Sequence, residues 1–442
     1  MTQADKPTAH QLDSYWMPFT GNRQFHSDPR VITAADGCHF IDADGRRIID
    51  GLSGLWCTGA GHNRAEITEA IARQSATLDY SPAFQFGHPG AFALAEKIRA
   101  MTPDGLEHVF FTNSGSESAD TSLKIARGYW RQRGQPSKTR LIGRVKGYHG
   151  VNFGGISVGG IGPNRKLFGA TLEADHLSHT LLPENRFTRG EPEHGAHLAD
   201  ELEELVALHD ASNIAAVIVE PFAGSAGVIP PPKGYLQRLR EICDKHDILL
   251  IFDEVITGFG RCGATTGSEY FGVTPDIANF AKQLTNGVVP MGAVVVSPEI
   301  YRTFIDNGGP DYMVEFPHGY TYSGHPVACA AALAALEIFE REDLGGQAKR
   351  KAKVLEEGIH ALANHPHVLD VRNIGMAGAL TLAAYPGEPA RRPYEVAMWC
   401  WQRGLYVRYG GDTLQFGPAF VMADQDIQEM FNIVGDALNA AA

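Results

Sequence analysis

Lys282 stands in Asn279-Phe-Ala-Lys-Gln-Leu-Thr-Asn-Gly287, with Phe280, Ala281 and Leu284 as apolar neighbours. Apolar surroundings depress a lysine's pKa and make its amine a nucleophile toward carbonyl carbon. The ordinary use of a lysine is to snorkel to water, and the segment alone is compatible with both. Asp253 lies in Ile251-Phe-Asp-Glu-Val255, at the end of an apolar run. A lone buried carboxylate costs several kcal/mol or loses its charge, so it needs a partner. A protonated ring nitrogen is one such partner, because the carboxylate keeps the ring cationic and electron-withdrawing. Capping the next turn is the other use.

Asn113-Ser-Gly-Ser-Glu-Ser118 follows the apolar Val109-Phe-Phe111 and opens a helix with Ala119, Leu123, Ala126 and Trp130 along one face. Ser114 and Glu117 fit the S-x-x-E capping box. A Gly–Ser turn at a helix start also presents free N–H groups and the positive end of the helix dipole, which suits a phosphate. Tyr148-His149 is bracketed by glycines in Lys146-Gly-Tyr-His-Gly150, where an aromatic ring can lie flat on a planar ligand or simply pack a turn. Glu220 precedes Pro221 at the end of another apolar run, a place that faces the binding crevice of a parallel sheet. If Gly411-Asp412 form a two-residue hairpin turn, then Gly410 faces Thr413, Tyr409 faces Leu414, and Arg408 faces Gln415. A guanidinium and an amide on one face can grip a carboxylate; a solvated surface pair is the alternative. Trp56, in Gly54-Leu-Trp-Cys57, and Phe84 and Phe86, in Pro82-Ala-Phe-Gln-Phe-Gly87, are candidates to wall an apolar pocket or to fill core. Gly258-Phe-Gly-Arg-Cys-Gly263 fits the dinucleotide pattern GxGxxG, but the following Ala264–Phe271 is too short and too glycine-broken for the helix that pattern requires.

The elements that must position these residues form an alternating series. Strands are expected at His108–Thr112, Thr139–Val145, Ala215–Glu220, Ile248–Val255 and Gly292–Ser297, with helices at Ser116–Arg131 and Tyr235–His246. Nearly continuous apolar strands separated by amphipathic helices predict an α/β fold with a mostly parallel sheet covered on both faces. An Ala-rich helix over Pro326–Arg341 and a charged helix over 347–364 follow. Strands at Val368–Val371 and Gly378–Ala384, a helix at Pro393–Arg403, a hairpin within Leu405–Phe416 and a helix at Asp424–Leu438 then read as a smaller α+β domain. The expected division is an N-terminal segment 1–55, a large domain 56–330 and a small domain 331–442.

The composition sets limits. Of 442 residues, 44% are apolar and 20% charged, enough for a sizeable core. The net charge of −13 argues against a nucleic-acid coat or an anionic membrane surface as partner. Glycine is in excess, 49 residues, and clusters in short loops, as α/β enzymes with phosphate ligands require. The six cysteines contain no CxxC pair, so neither a metal site nor a disulfide framework is indicated. No signal-peptide pattern or membrane-length apolar run is present, and a reduced, cytoplasmic protein is expected.

Taken in chain order, GSES, YHG, VIVEP, FDEVITGFGR, AKQLTNGVVPMGA and HGYTYSGHP resemble the class-III aminotransferases, pyridoxal-phosphate enzymes of fold type I. The likeness runs from about Tyr15 to the C-terminus. Leu12-Asp-Ser-Tyr-Trp-Met-Pro-Phe-Thr20 and Leu405–Pro418 resemble the subgroup that uses omega-amino acids, such as beta-alanine, with pyruvate. The resemblance implies that Lys282 holds pyridoxal phosphate as a Schiff base and shuttles the proton, and that Asp253 pairs with the pyridinium nitrogen. It implies that Gly115 and Ser116 bind the phosphate together with Thr321 of a second copy, that Tyr148 and Val255 sandwich the ring, and that Glu220 supports the site near the ring hydroxyl. Arg408 and Gln415 would bind the substrate carboxylate, with Trp56 in the apolar pocket. The implied enzyme is a homodimer or dimer of dimers with its site at the subunit interface. A 4-aminobutyrate- or diamine-type aminotransferase or an aminomutase is the neighbouring reading. A nicotinamide dehydrogenase and a non-catalytic cofactor-binding relative are readings from other classes.

Overall fold

The computed structural model describes residues 6–441. Its centre is a seven-stranded sheet in the order His108–Thr112, Gly292–Val296, Ile277–Phe280, Leu249–Asp253, Ile214–Val219, Arg140–Arg144 and Ala174–Leu177. The last five in that order run parallel, and Gly292–Val296 is antiparallel to both neighbours. Every residue of Ile214–Val219 and Leu249–Asp253 is buried. Alternate side chains enter different apolar clusters: Leu250 and Phe252 join one, Leu249 and Ile251 the other. The sheet is therefore covered on both faces, as continuous apolar strands demand.

The expected strands recur within a residue or two. Ala174–Leu177 and Ile277–Phe280 are additional strands. Both are four residues long, and polar Asp175, His176 and Asn279 interrupt their apolar pattern, so no run of apolar residues marks them. Gly258–Gly263 leads only to the five-residue helix Gly267–Phe271, so no dinucleotide helix opens there.

Beyond the large sheet, Val368–Ile374, Ala377–Leu382, Thr413–Phe416 and Arg408–Gly410 form an antiparallel sheet in that order. The hairpin expected at Leu405–Phe416 covers only the later part of that range. Leu405–Tyr406 leaves to pair in parallel with Arg47–Asp50, completing a third sheet with Ile32–Asp36 and His39–Asp42. Arg408–Gly410 turns back on Thr413–Phe416 with Arg408 opposite Gln415, Tyr409 opposite Leu414 and Gly410 opposite Thr413, the register predicted from the turn. Helix Pro326–Arg341 buries Ala328, Ala332, Ala335 and Leu336 in a core shared with the C-terminal elements. No helix among the described residues is long and apolar enough to cross a membrane.

Candidate active site

Register places three functional groups at one edge of the sheet. Val219 pairs with Phe252, so Glu220 comes level with Asp253; Asp253 pairs with Asn279, three residues before Lys282. All three leave the carboxyl ends of adjacent parallel strands, where α/β sheets bind ligands. A cavity of about 130 Å³ opens there, lined by Gly115, Ser116, Tyr148, Gly150, Glu220, Asp253, Val255, Ile256 and Lys282. Of these, Gly150 and Ile256 carried no role in the sequence reading.

Each side chain is fixed from behind. Asp253 accepts from His149 Nδ1 at 2.8 Å and from the Val255 N–H at 3.2 Å. Glu220 accepts from the Tyr148 N–H at 3.0 Å and the Gly224 N–H at 3.1 Å. Burial pushes the Glu220 carboxyl up, reinforced by the Asp253 charge and opposed by His149 and Arg144. Burial likewise pushes the Tyr148 phenol up. The Lys282 amine moves down because burial penalises its charged form, against the pull of Cys57, Asp253 and Glu220. Lys282 has a left-handed backbone, φ 52°, rare for a residue with a side chain. Neighbours hold that conformation. Gln283 Oε1 accepts from the Gly59 N–H at 2.7 Å, and Asn286 accepts from the Ala60 N–H at 3.0 Å and donates to the Gly61 carbonyl at 2.8 Å.

The phosphate cup is formed by sequence-local rules. Ser114 caps helix Gly115–Gln132 by accepting from the Glu117 N–H at 3.1 Å. The Glu117 carboxylate reaches back to the N–H of Asn113 at 2.7 Å rather than to Ser114, so the capping box is displaced by one residue. Gly115 and Ser116 N–H lie in the first turn, where the helix supplies no acceptor. A Cβ at Gly115 would sit 2.9 Å from Val255 Cγ1, and one at Gly150 would sit 2.6 Å from Ser116 Cα. Ser116 Oγ accepts from the Val151 N–H at 3.1 Å. Free amides, glycines with no room for a side chain, a buried acid and a lysine amine of lowered proton affinity suit a flat, phosphorylated, ring-nitrogen aldehyde.

These features match the comparisons with known proteins. The family described as Aminotransferase class-III matches residues 20–438. The chain belongs to the class-III aminotransferases. It is 60% identical over 432 residues to the beta-alanine–pyruvate aminotransferase of Pseudomonas aeruginosa, covering 98% of this chain and 96% of the relative. It is 57% identical to the omega-amino acid–pyruvate aminotransferase of Pseudomonas putida, covering 97% and 96%. Among solved structures, an (S)-enantioselective omega-transaminase from Thermomicrobium roseum superposes with TM-score 0.91 at 34% identity over 98% of each chain. An amine transaminase from an uncultivated Pseudomonas species, in a PLP-bound form, superposes with TM-score 0.87 at 38% identity over 100% and 99%. The fold is therefore fold type I, and the enzyme is a pyridoxal-phosphate-dependent aminotransferase.

The remaining expected residues of this aminotransferase are not part of that cavity's lining. Arg408 is half-buried, and among the described residues no carboxylate lies within ion-pair distance of it. Gln415 is buried; its amide donates to the Ser225 carbonyl at 3.0 Å, and its Oε1 has no partner among the described residues. Trp56 is buried with φ 67°, its ring against Gly417 and 5.5 Å from the Arg261 guanidinium. Phe84 and Phe86 are 56% and 69% exposed, and Thr321 is exposed. The Tyr80 hydroxyl donates to the Thr321 carbonyl at 3.0 Å, and Phe84 lies against Gly319, so the two segments form one surface patch outside the cavity.

Proposed function

We propose that this enzyme moves the amino group of an omega-amino acid or another primary amine, such as beta-alanine, to pyruvate, giving L-alanine and an aldehyde or ketone. The observation that carries the reading is the buried Lys282 amine in one cavity with Asp253 and the free amides of Gly115 and Ser116. The identities of 60% and 57% to enzymes named for beta-alanine or omega-amino acids with pyruvate support the substrate pair.

Bound pyridoxal phosphate supplies the electron sink when a proton leaves the donor carbon. The residues do the rest. Gly115 and Ser116 would donate to the phosphate, and Tyr148 and Val255 would hold the ring. Asp253 would accept from the protonated ring nitrogen, and Glu220 would support the hydroxyl side. Desolvation lowers the proton affinity of the Lys282 amine, which favours its attachment to a carbonyl carbon. Lys282, freed when an amine donor takes its place, would accept the proton from the donor carbon and return it, as general base and then acid. Arg408 and Gln415 hold the carboxylate of pyruvate, and Arg408 withdraws for a donor tail that has none. The chain divides into an N-terminal segment 1–55, a pyridoxal-phosphate domain 56–330 and a small domain 331–442. The reaction runs in two half-reactions, so ping-pong kinetics follow.

The functional unit is a homodimer, or a dimer of such dimers, in the cytoplasm. Thr321, Phe84 and Phe86 are exposed and lie outside their own chain's cavity, which suits residues that complete the cavity of a second copy. Borohydride reduction of the holoenzyme followed by peptide mapping is expected to label Lys282; a label elsewhere overturns the assignment. A donor panel containing beta-alanine, 4-aminobutyrate, putrescine and an arylamine, each with pyruvate, is expected to give most alanine from beta-alanine. Turnover confined to 4-aminobutyrate or putrescine would replace the substrate reading.

A further inference from the structure

Arg261 is fully buried, yet its hydrogen-bond partners among the described residues are all neutral. Nη1 donates to the Met376 carbonyl at 2.9 Å and to the Pro418 carbonyl at 2.7 Å. Nη2 donates to Ser53 Oγ at 2.8 Å. Nε has no partner among the described residues. The guanidinium carbon lies 5.5 Å from the centre of the Trp56 ring and 4.6 Å from that of Phe420, within reach of a cation–aromatic attraction. A buried charge bonded to no carboxylate costs stability, and burial pushes this guanidinium down to about 10. A feature that costly calls for a use.

The three acceptors belong to three separate stretches of chain. Met376 stands in the turn between Val368–Ile374 and Ala377–Leu382, and Pro418 lies two residues beyond Thr413–Phe416, the strand that carries Gln415. Ser53 opens the loop that carries Trp56. That loop is strained: Ser53 has φ 45° and Trp56 φ 67°, left-handed values rare for residues with a side chain. Such conformations persist only where the surroundings over-determine them. Asp50 accepts from the N–H groups of Leu52 at 3.1 Å and Gly54 at 2.6 Å. Ser53 Oγ donates to the Gly417 carbonyl at 2.8 Å while accepting from Arg261. Past Trp56 the loop meets the Lys282 turn: a Cβ at Gly287 would sit 2.7 Å from Cys57 Cβ, and the Gly287 N–H donates to the Lys282 carbonyl at 3.2 Å. We propose that Arg261 is a positioning residue for substrate selection. It fastens the Trp56 loop to the strand carrying Gln415, so that the wall Trp56 presents to an amine donor does not yield.

The proposal rests on Trp56 touching the donor, and the test keeps the two apart. The readout is the ratio of kcat/KM for a bulky arylamine to that for beta-alanine, with pyruvate as acceptor, in the R261M, W56A and W56A/R261M holoenzymes. In R261M the ratio is expected to move toward the arylamine by roughly tenfold, mostly through the KM of the donors, which is what a misfit of one methylene in an apolar pocket is worth. With Trp56 already replaced, R261M should move the ratio by less than about twofold, because two residues acting through one contact are not additive. Borohydride labelling of Lys282 should persist in R261M. R261K keeps the charge but loses the fork, so its ratio should fall between those of wild type and R261M. An equal shift by R261M in both backgrounds, as general loosening would give, overturns the proposal. An unchanged ratio in W56A overturns the contact between Trp56 and the donor, and the proposal with it. A shifted ratio in W56A with none in R261M overturns the role of Arg261 alone. Should R261M not fold, S53A decides: it removes one acceptor, leaves the guanidinium in place and is expected to shift the ratio in the same direction, and a ratio equal to wild type overturns the proposal.

Discussion

Arg408→Ala separates the two substrates that one pocket must accept. Arg408 is half-buried on a hairpin strand directly opposite Gln415, with no carboxylate within ion-pair distance among the described residues. Its removal therefore leaves no protein acid stranded, and the loss should fall on ligand binding rather than folding. A forked, charge-assisted contact to a carboxylate contributes about 1.5–3 kcal/mol, roughly a 10- to 150-fold effect. Pyruvate carries such a carboxylate and an arylamine does not. Hence kcat/KM for pyruvate should fall roughly 10- to 150-fold, and that for the arylamine half-reaction by no more than about threefold. The small second effect has a cause: the Arg408 charge helps to lower the Lys282 pKa, and its removal relaxes that contribution for every substrate. Arg408→Lys keeps the charge but loses the fork and should fall between the two. The assay is single-turnover change in cofactor absorbance with each substrate separately. Equal losses for pyruvate and the arylamine would refute the carboxylate role, and an unchanged pyruvate half-reaction would refute it outright.

Three further outcomes follow from the same geometry. Gly150→Ala places a methyl 2.6 Å from Ser116 Cα at φ 86°, a conformation that costs an L-residue about 1–2 kcal/mol before any clash; PLP affinity measured by apoenzyme titration should fall at least roughly tenfold. Gly417→Ala drives a methyl into the Trp56 ring and should cost about 1–3 kcal/mol of stability, read as a lower Tm. The Lys282 amine is pushed below its ordinary 10.5 in the folded apoenzyme, so the unfolded chain binds a proton that the native state lacks. Apoenzyme stability should then rise with pH between the depressed folded value and 10.5, and fall as pH drops toward it; urea unfolding at several alkaline pH values should show this slope in wild type and its loss in Lys282→Met.

How far the site is legible in the sequence depends on whether the physics is local. The hairpin register follows from turn chemistry alone, since a two-residue Gly-Asp turn leaves one pairing for Arg408 and Gln415. The helix cap at Ser114 is equally local, although its acid bonds one residue earlier than the box pattern implies. The two additional strands, Ala174–Leu177 and Ile277–Phe280, escape periodicity because their polar residues bond to partners brought in by the tertiary fold. Asn279 is buried yet bonds to Ser122 at 3.0 Å, and His176 lies 2.9 Å from the Gly159 carbonyl. No window of local sequence contains those partners.

Residues whose work is to hold other residues stay hidden for the same reason. His149 acts across 104 positions of chain on Asp253, and Gln283 across 224 on the N–H of Gly59. What the sequence does carry of them is negative space. The glycines at 147 and 150, on either side of Tyr148-His149, mark a place where backbone and ring approach too closely for a Cβ, and the Cβ contacts at those positions explain why. A glycine bracket around an aromatic or imidazole residue is thus a sign of close packing from both sides. It becomes a sign of function only when a packed group borders the site, as Tyr148 does.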